Sequence, residues 1–124
     1  MPHKSFLCVF LALGLAACGG KTSSGLERDA YRQTVGVGII ASFNEMCGAT
    51  RIEEFREAWL RHLGAGKPLT APQREEVIGW LDRVDADAKQ RIPEGPKRDK
   101  QCADYPANQS TIDRGISGDF TGMI

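Results

Sequence analysis

The feature that most constrains this sequence is an apolar run of 12 residues, from Phe6 to Ala17, that ends directly before a cysteine. A membrane-spanning helix needs about 20 apolar residues. The run is therefore too short to cross a bilayer, and its length is that of a signal-peptide core. Residues 1–5 in front of it are polar, with Lys4 as their positive charge. We predict that residues 1–17 are a signal peptide and that the domain folds from the remaining 107 of the 124 residues.

The junction after this run has a recognisable motif, Leu15-Ala16-Ala17-Cys18. It resembles the lipobox of bacterial lipoproteins. The resemblance implies cleavage before Cys18, a diacylglycerol on the Cys18 sulfur and acylation of the new amino group. Several acyl chains hold a protein on a membrane where a single chain does not. Gly19 follows the cysteine in place of Asp, which for this family favours the outer membrane, facing the periplasm. The alternative is an ordinary secretory signal that happens to contain a cysteine.

The four cysteines can then be assigned individually. Cys8 leaves with the signal peptide and Cys18 carries the lipid, so Cys47 and Cys102 remain. Two thiols in an oxidising compartment favour a disulfide. A Cys47–Cys102 bond closes a loop of about 55 residues, for which chain entropy predicts roughly 4 kcal/mol of stabilisation. A pair of free, buried cysteines is the alternative.

The charge of the mature chain is balanced. Loss of Lys4 leaves 15 basic residues against 16 acidic ones. Nucleic-acid binding calls for a basic face or stripe, so we expect no nucleic-acid partner. The length suits one domain with a modest core. The predicted partners are the membrane, reached through the lipid, and another envelope protein.

The mature sequence divides into a tether, a helical domain and a tail. Residues 18–25 are small and polar, which predicts a flexible tether with a reach of roughly 15 Å. In residues 26–47, apolar side chains recur at four-residue steps, a pattern that predicts a helix with this row on its buried side. The row is Tyr31, Val35, Ile39, Phe43 and Cys47. Gly36, Gly38 and the β-branched residues of 34–40 leave a strand as the alternative there.

Two further helices have clearer signals. Thr50 and Glu53 have capping-box spacing in front of a stripe of apolar residues, and Thr70 and Gln73 repeat that spacing in front of another. Pro93 ends the last helix. The predicted stripes are Ile52, Phe55, Trp59 and Leu63 in one helix, and Val77, Leu81, Val84, Ala88 and Ile92 in the other. We therefore predict an all-α fold, a small three-helix bundle with one disulfide, over residues 26–104.

Residues 105–124 show neither a helical nor a strand period, which predicts an irregular, Gly-rich tail. Ile116 and Phe120 in this tail are candidates for partner contact, as in a peptide that lies in a groove. Trp80 is a third candidate, because it lies off the main stripe of its helix. Gly38 and Ser42 are small and four residues apart, which suits either close packing within the chain or a dimer surface.

No group of residues in the sequence predicts catalysis. His62 is the one histidine of the mature chain, and a histidine near a helix end is typically favoured there by the helix dipole. An EF-hand frame that starts at Asp85 places Gln90 where glycine is needed and Pro96 where the bidentate glutamate belongs, so it fails. We expect no catalytic, cofactor-binding or metal-binding residues. The predicted function is a non-enzymatic accessory or protein-binding module of the envelope. The alternative is a periplasmic inhibitor or immunity protein against a wall-degrading enzyme or toxin.

Overall fold

The computed structural model describes residues 20–124, which form five helices and no strand. The helices are α1 (Arg28–Met46), α2 (Ile52–Leu63), α3 (Ala71–Arg91), α4 (Pro96–Asp104) and α5 (Gln109–Ile116). The predicted all-helical fold with one disulfide is confirmed, but the helices number five, because α4 and α5 were not predicted. The predicted signal peptide and Cys18 lie outside the described residues.

Residues 34–40 belong to α1, which excludes the strand alternative. The buried side of α1 differs from the predicted one. It carries mostly small side chains, namely Ala30, Thr34, Val37, Gly38, Ala41 and Ser42. A Cβ on Gly38 would lie 3.2 Å from Val84 Cγ1 and 3.4 Å from Leu81 Cδ2. The small residues therefore serve close packing of α1 on α3 within the chain, one of the two roles considered for them.

Helices α1 and α3 run in the same direction, and α2 runs against them. Ser42 near the end of α1 donates a hydrogen bond to Asp85 near the end of α3, at 2.9 Å. Arg56 of α2 pairs with Asp82 at 2.6 Å, whereas the later Glu57 pairs with the earlier Arg74. The bundle thus has one end where α1 and α3 begin and α2 ends, and an opposite end where the polarity is reversed.

The two predicted capping boxes have different outcomes. Thr70 accepts from the Gln73 amide and Gln73 bonds back to Thr70, so this box is confirmed. The box predicted at Thr50 and Glu53 is wrong, because the N-cap residue of α2 is Arg51, which lies in the left-handed region with φ 65° and makes no side-chain cap. Thr50 instead exchanges hydrogen bonds with the side chain of Gln109 in α5.

The prediction of an irregular tail is wrong for residues 109–116, which form α5. Ile112, Phe120 and Met123 are buried in the core. A residue of α1 fixes the start of α5: the Asn44 Oδ1 atom accepts a hydrogen bond from the Asn108 backbone amide at 2.7 Å. The tail thus completes the core, packing mainly on α2.

Helix α4 depends on the disulfide for its attachment. The Cys47–Cys102 bond joins it to the residue that follows α1, as predicted. No residue of α4 is buried, and Arg98 donates to the Ile92 carbonyl at 2.9 Å. Apolar burial therefore contributes little to holding this helix in place.

The predicted flexible tether is wrong for residues 20–25. Thr22, Ser23 and Ser24 all donate hydrogen bonds to the carboxylate of Glu76 in α3. The Arg28 amide also donates to the Gly20 carbonyl at 2.8 Å. This segment is folded against the bundle.

Candidate interaction surface

The three residues predicted to contact a partner are buried or half-buried. Trp80 is only 7% exposed, so the expectation that it lies on the surface is corrected. Its ring packs edge-on against Tyr31, with centroids 5.1 Å apart. Phe120 is buried and Ile116 is half-buried against the core. Trp80 and Phe120 therefore stabilise the fold, and neither offers a free surface.

Phe120 lies in an aromatic cluster that also contains His62. Its ring centroid is 5.1 Å from that of Trp59, 5.2 Å from that of His62 and 5.6 Å from that of Phe55. His62 stacks on Trp59 at 5.1 Å. The His62 ring therefore lies over the edge of the core, in contact with Trp59 of its own helix and with Phe120 of the tail.

The apolar row predicted for the inside of α1 lies largely on its outside. Tyr31 is 46% exposed and Ile39 is 44% exposed, while Val35 and Phe43 are half-buried. These four residues, the α1 apolar row, are uncharged and extend from residue 31 to residue 43, or about 18 Å of helix. Large apolar side chains therefore face solvent on the same helix whose small side chains face the core.

The C-terminus lies beside this row. The backbone carbonyl of Met123 is 3.3 Å from the position that a Cβ would take on Gly36, which sits next to Val35 in α1. Ile124, the next residue, is 53% exposed. Contiguous exposed apolar surface of this kind is typical of contact sites.

A small cleft lies between α1, α2 and α3. Its polar lining is Ser42, Glu45, Arg56 and Asp85, and its other lining residues are Gly38, Ala41, Ile52 and Leu81. Lys89 bonds to Glu45 at 2.8 Å and to Asp85 at 2.9 Å. The hydrogen bond to Glu45, then that to Asp85, raise the pKa of Lys89 despite desolvation. Lys89 thus links Glu45 of α1 to α3, and Arg56 pairs with Asp82, so the charged residues of this cleft are engaged in ion pairs between helices.

Residues 20–124 contain no group of three or more His, Cys, Asp or Glu side chains placed to hold a metal ion. Within the same part of the chain, no helix combines the length and apolarity needed to cross a membrane. The α1 apolar row is thus the most distinctive surface of the described bundle. The four-residue spacing found these residues in the sequence but assigned them to the wrong side of the helix.

The fold and its surface define an all-helical, disulfide-bonded bundle with an apolar row on the outward side of α1. No protein-family model matches the chain, and comparisons with curated proteins and with solved structures find no significant match.

Proposed function

We propose that this chain is a lipid-anchored protein of the bacterial envelope that acts as a non-enzymatic protein-binding module. Its anchor is the acylated Cys18, and it is held on the outer membrane, facing the periplasm. The α1 apolar row is its contact surface. The partner is another envelope protein that presents an apolar surface to the four uncharged side chains of the row.

The observation that carries the binding role is the exposure of Tyr31 and Ile39 on α1. Apolar surface that leaves water on association is the main favourable contribution to most protein–protein contacts. Aromatic side chains such as Tyr31 are enriched in the cores of such interfaces. The lipobox supports the anchored location independently, because it concerns different residues and a different chemistry.

The contact is tested by crosslinking the tagged, lipidated protein in intact cells and identifying captured proteins by mass spectrometry. The decisive variant is Ile39→Glu, which places a charge in the middle of the row. Its control is Ala86→Glu, which places the same charge at an exposed position on α3. We expect one dominant envelope partner with the wild type and with Ala86→Glu, and its loss with Ile39→Glu.

The identity of the captured partner distinguishes the accessory function from the inhibitor function. A wall-degrading enzyme or toxin as the captured partner would favour the inhibitor function over the accessory one, and capture of a second copy would indicate self-association. Equal capture by wild type and Ile39→Glu contradicts the proposed surface. Circular dichroism melting curves establish that both variants are folded.

The anchor has its own test. Intact-mass measurement of the protein extracted from membranes should show loss of residues 1–17 and the added mass of the acyl chains. Cys18→Ser should abolish the added mass and release the protein from the membrane fraction. A mature protein that begins elsewhere, or that carries no lipid, refutes the anchor.

A further inference from the structure

Glu76 fastens the segment in front of α1 to the body of the protein. Its carboxylate accepts hydrogen bonds from the hydroxyl groups of Thr22, Ser23 and Ser24, the last at 2.6 Å. Gln73, one turn earlier in α3, donates to the Ser24 carbonyl at 3.4 Å. Hydrogen bonds to a charged carboxylate are stronger than neutral ones, so these contacts form a clasp on the segment.

The segment is also closed on itself. The Thr22 amide donates to the Leu26 carbonyl at 2.7 Å, and the Arg28 amide to the Gly20 carbonyl at 2.8 Å. Lys21 pairs with Glu27 at 2.8 Å, and the Leu26 side chain is buried in the core. Residues 20–27 are therefore a compact turn, in contrast to the freely moving linker that their composition predicts.

This turn shortens the connection between the bundle and a lipid at Cys18. Only two residue steps separate Cys18 from Gly20, and a chain spans at most about 3.5 Å per step, or about 7 Å here. A free linker over residues 18–25 would instead allow roughly 15 Å and any rotation of the body. A lipid at Cys18 therefore holds the turn at the level of the lipid headgroups.

Resting on the proposed anchor at Cys18, we propose that the end of the bundle made by residues 20–27 and 64–76 is a membrane-facing surface that lies against lipid headgroups. This anchored end contains the starts of α1 and α3 and the loop from α2 to α3. This end has three basic residues, Lys21, Lys67 and Arg74, and as many acidic ones, Glu27, Glu75 and Glu76. The lipid at Cys18, and not net charge, therefore places it at the headgroups. The bundle holds this orientation because the clasp leaves the body little freedom to turn.

The opposite end is then held away from the bilayer. It contains the Cys47–Cys102 disulfide and the exposed helix α4. Tyr105, which follows α4, is 70% exposed. Helix α1 has 19 residues, so the two ends are about 28 Å apart along its axis. Labels at Lys67 and at Ala103 in α4 therefore report on opposite ends.

The test uses the lipidated protein in vesicles of phosphatidylethanolamine and phosphatidylglycerol with nitroxide-bearing headgroups. A fluorophore is attached through a genetically encoded keto amino acid at position 67 or position 103, which leaves Cys18 and the disulfide untouched. We expect quenching at position 67 to be several-fold stronger than at position 103. Glu76→Ala should bring the ratio close to one, while Glu53→Ala, at an exposed position on α2 outside the membrane-facing surface, should leave it unchanged. Ser24→Ala, a milder change to the clasp, should lower the ratio by a smaller factor.

The possible failures are distinct. Equal quenching at the two positions in a protein that carries its lipid overturns the orientation and leaves the anchor intact. A ratio that Glu76→Ala and Ser24→Ala both leave unchanged overturns the role of the clasp. A mature protein without lipid, seen by intact mass before reconstitution, overturns the orientation together with the proposed anchor.

Discussion

Gly115 lies where α5 touches α2, and replacing it with alanine tests whether the tail completes the core. An added Cβ would lie 2.6 Å from Cδ1 of Phe55, closer still to its Cε1, and 3.2 Å from Cε1 of Phe120. Carbon atoms in favourable contact are about 3.5–4.0 Å apart. The rings must therefore move, yet Phe120 is held between Trp59 and His62 as well as Phe55.

Two opposing contributions decide the size of the effect. Alanine in a helix interior is favoured over glycine by about 1 kcal/mol. Forcing extra volume into a packed core costs about 1–3 kcal/mol, and displacing two aromatic rings belongs at the upper end of that range. We expect Gly115→Ala to lower the free energy of unfolding by about 2 kcal/mol net. The intrinsic helix preference and the packing thus predict opposite signs.

Urea denaturation followed by far-ultraviolet circular dichroism measures the effect. The matched control is Gly79→Ala in α3, where an added Cβ meets nothing within 4 Å; here helix preference acts alone and predicts a gain of about 1 kcal/mol. The double variant Gly115→Ala with Phe55→Leu should lose less than the sum of the single losses, because the two sites share one contact. A Gly115→Ala protein as stable as the wild type would refute packing of the tail on Phe55.

Three further perturbations have clear expected outcomes. Replacing Cys47 and Cys102 together with alanine should lower the free energy of unfolding by about 4 kcal/mol, measured by urea denaturation, because the 55-residue loop is no longer closed; an unchanged midpoint would contradict this. Thr34→Val should cost about 1–3 kcal/mol, because the Trp59 indole N–H, which bonds to Thr34 at 2.9 Å, is left buried without an acceptor; Thr34→Ser, which keeps the hydroxyl, should lose less in the same assay. Partial burial raises the pKa of Glu76. Hydrogen bonds from the three hydroxyls of the clasp and from a backbone amide lower it by more, so the net shift is downward. Its folded-state pKa is therefore below the unfolded value, so the stabilisation from the clasp is present at neutral pH and is lost as pH falls through the folded pKa. Hydrogen-exchange protection factors of residues 22–26, followed from pH 7 into the acid range, should fall in wild type and be lower and independent of pH in Glu76→Gln; the same protection in both proteins at pH 7 would count against it.

Helices α2 and α3 could be predicted from the sequence because their stripes are built from large apolar residues that pack on more than one neighbour. Phe55, Trp59, Val77 and Leu81 are all buried. When the largest side chains of a helix are also its buried ones, periodicity identifies both the helix and its inner face. The cap at Thr70 is equally local, since the residues that form it are three apart in the chain.

The tail could not be predicted in this way. Helix α5 has 8 residues, and a helix this short is not stable in isolation. Its start is fixed by Asn44 and Thr50, which are 64 and 59 residues away from their partners in sequence. The contacts that make residues 109–116 helical are thus absent from the local pattern. The same contact explains why Thr50 does not cap α2, because its amide and carbonyl are engaged by Gln109.

The segment in front of α1 has a similar explanation. The composition of residues 19–25 is that of a flexible linker, since glycine and serine bury little surface. Besides its own internal hydrogen bonds, the segment is held by a carboxylate about 50 residues later, at Glu76. Three neighbouring hydroxyls predict an ordered segment only when a hydrogen-bond acceptor is known to lie opposite them. The sequence does not show that Glu76 lies there.

The misassigned face of α1 has a physical cause that bears on function. Periodicity detects a row of large apolar residues, but α1 approaches α3 so closely at Gly38 that only small side chains fit between them. The large residues of the row are therefore displaced outward, from Tyr31 near the anchored end to Phe43 near the opposite end. With the anchor that we propose at Cys18, α1 leads away from the lipid and the row lies within about 30 Å of the bilayer. On that proposal, a partner that covers the row is held close to the membrane, and we expect the capture experiment to enrich membrane-associated proteins.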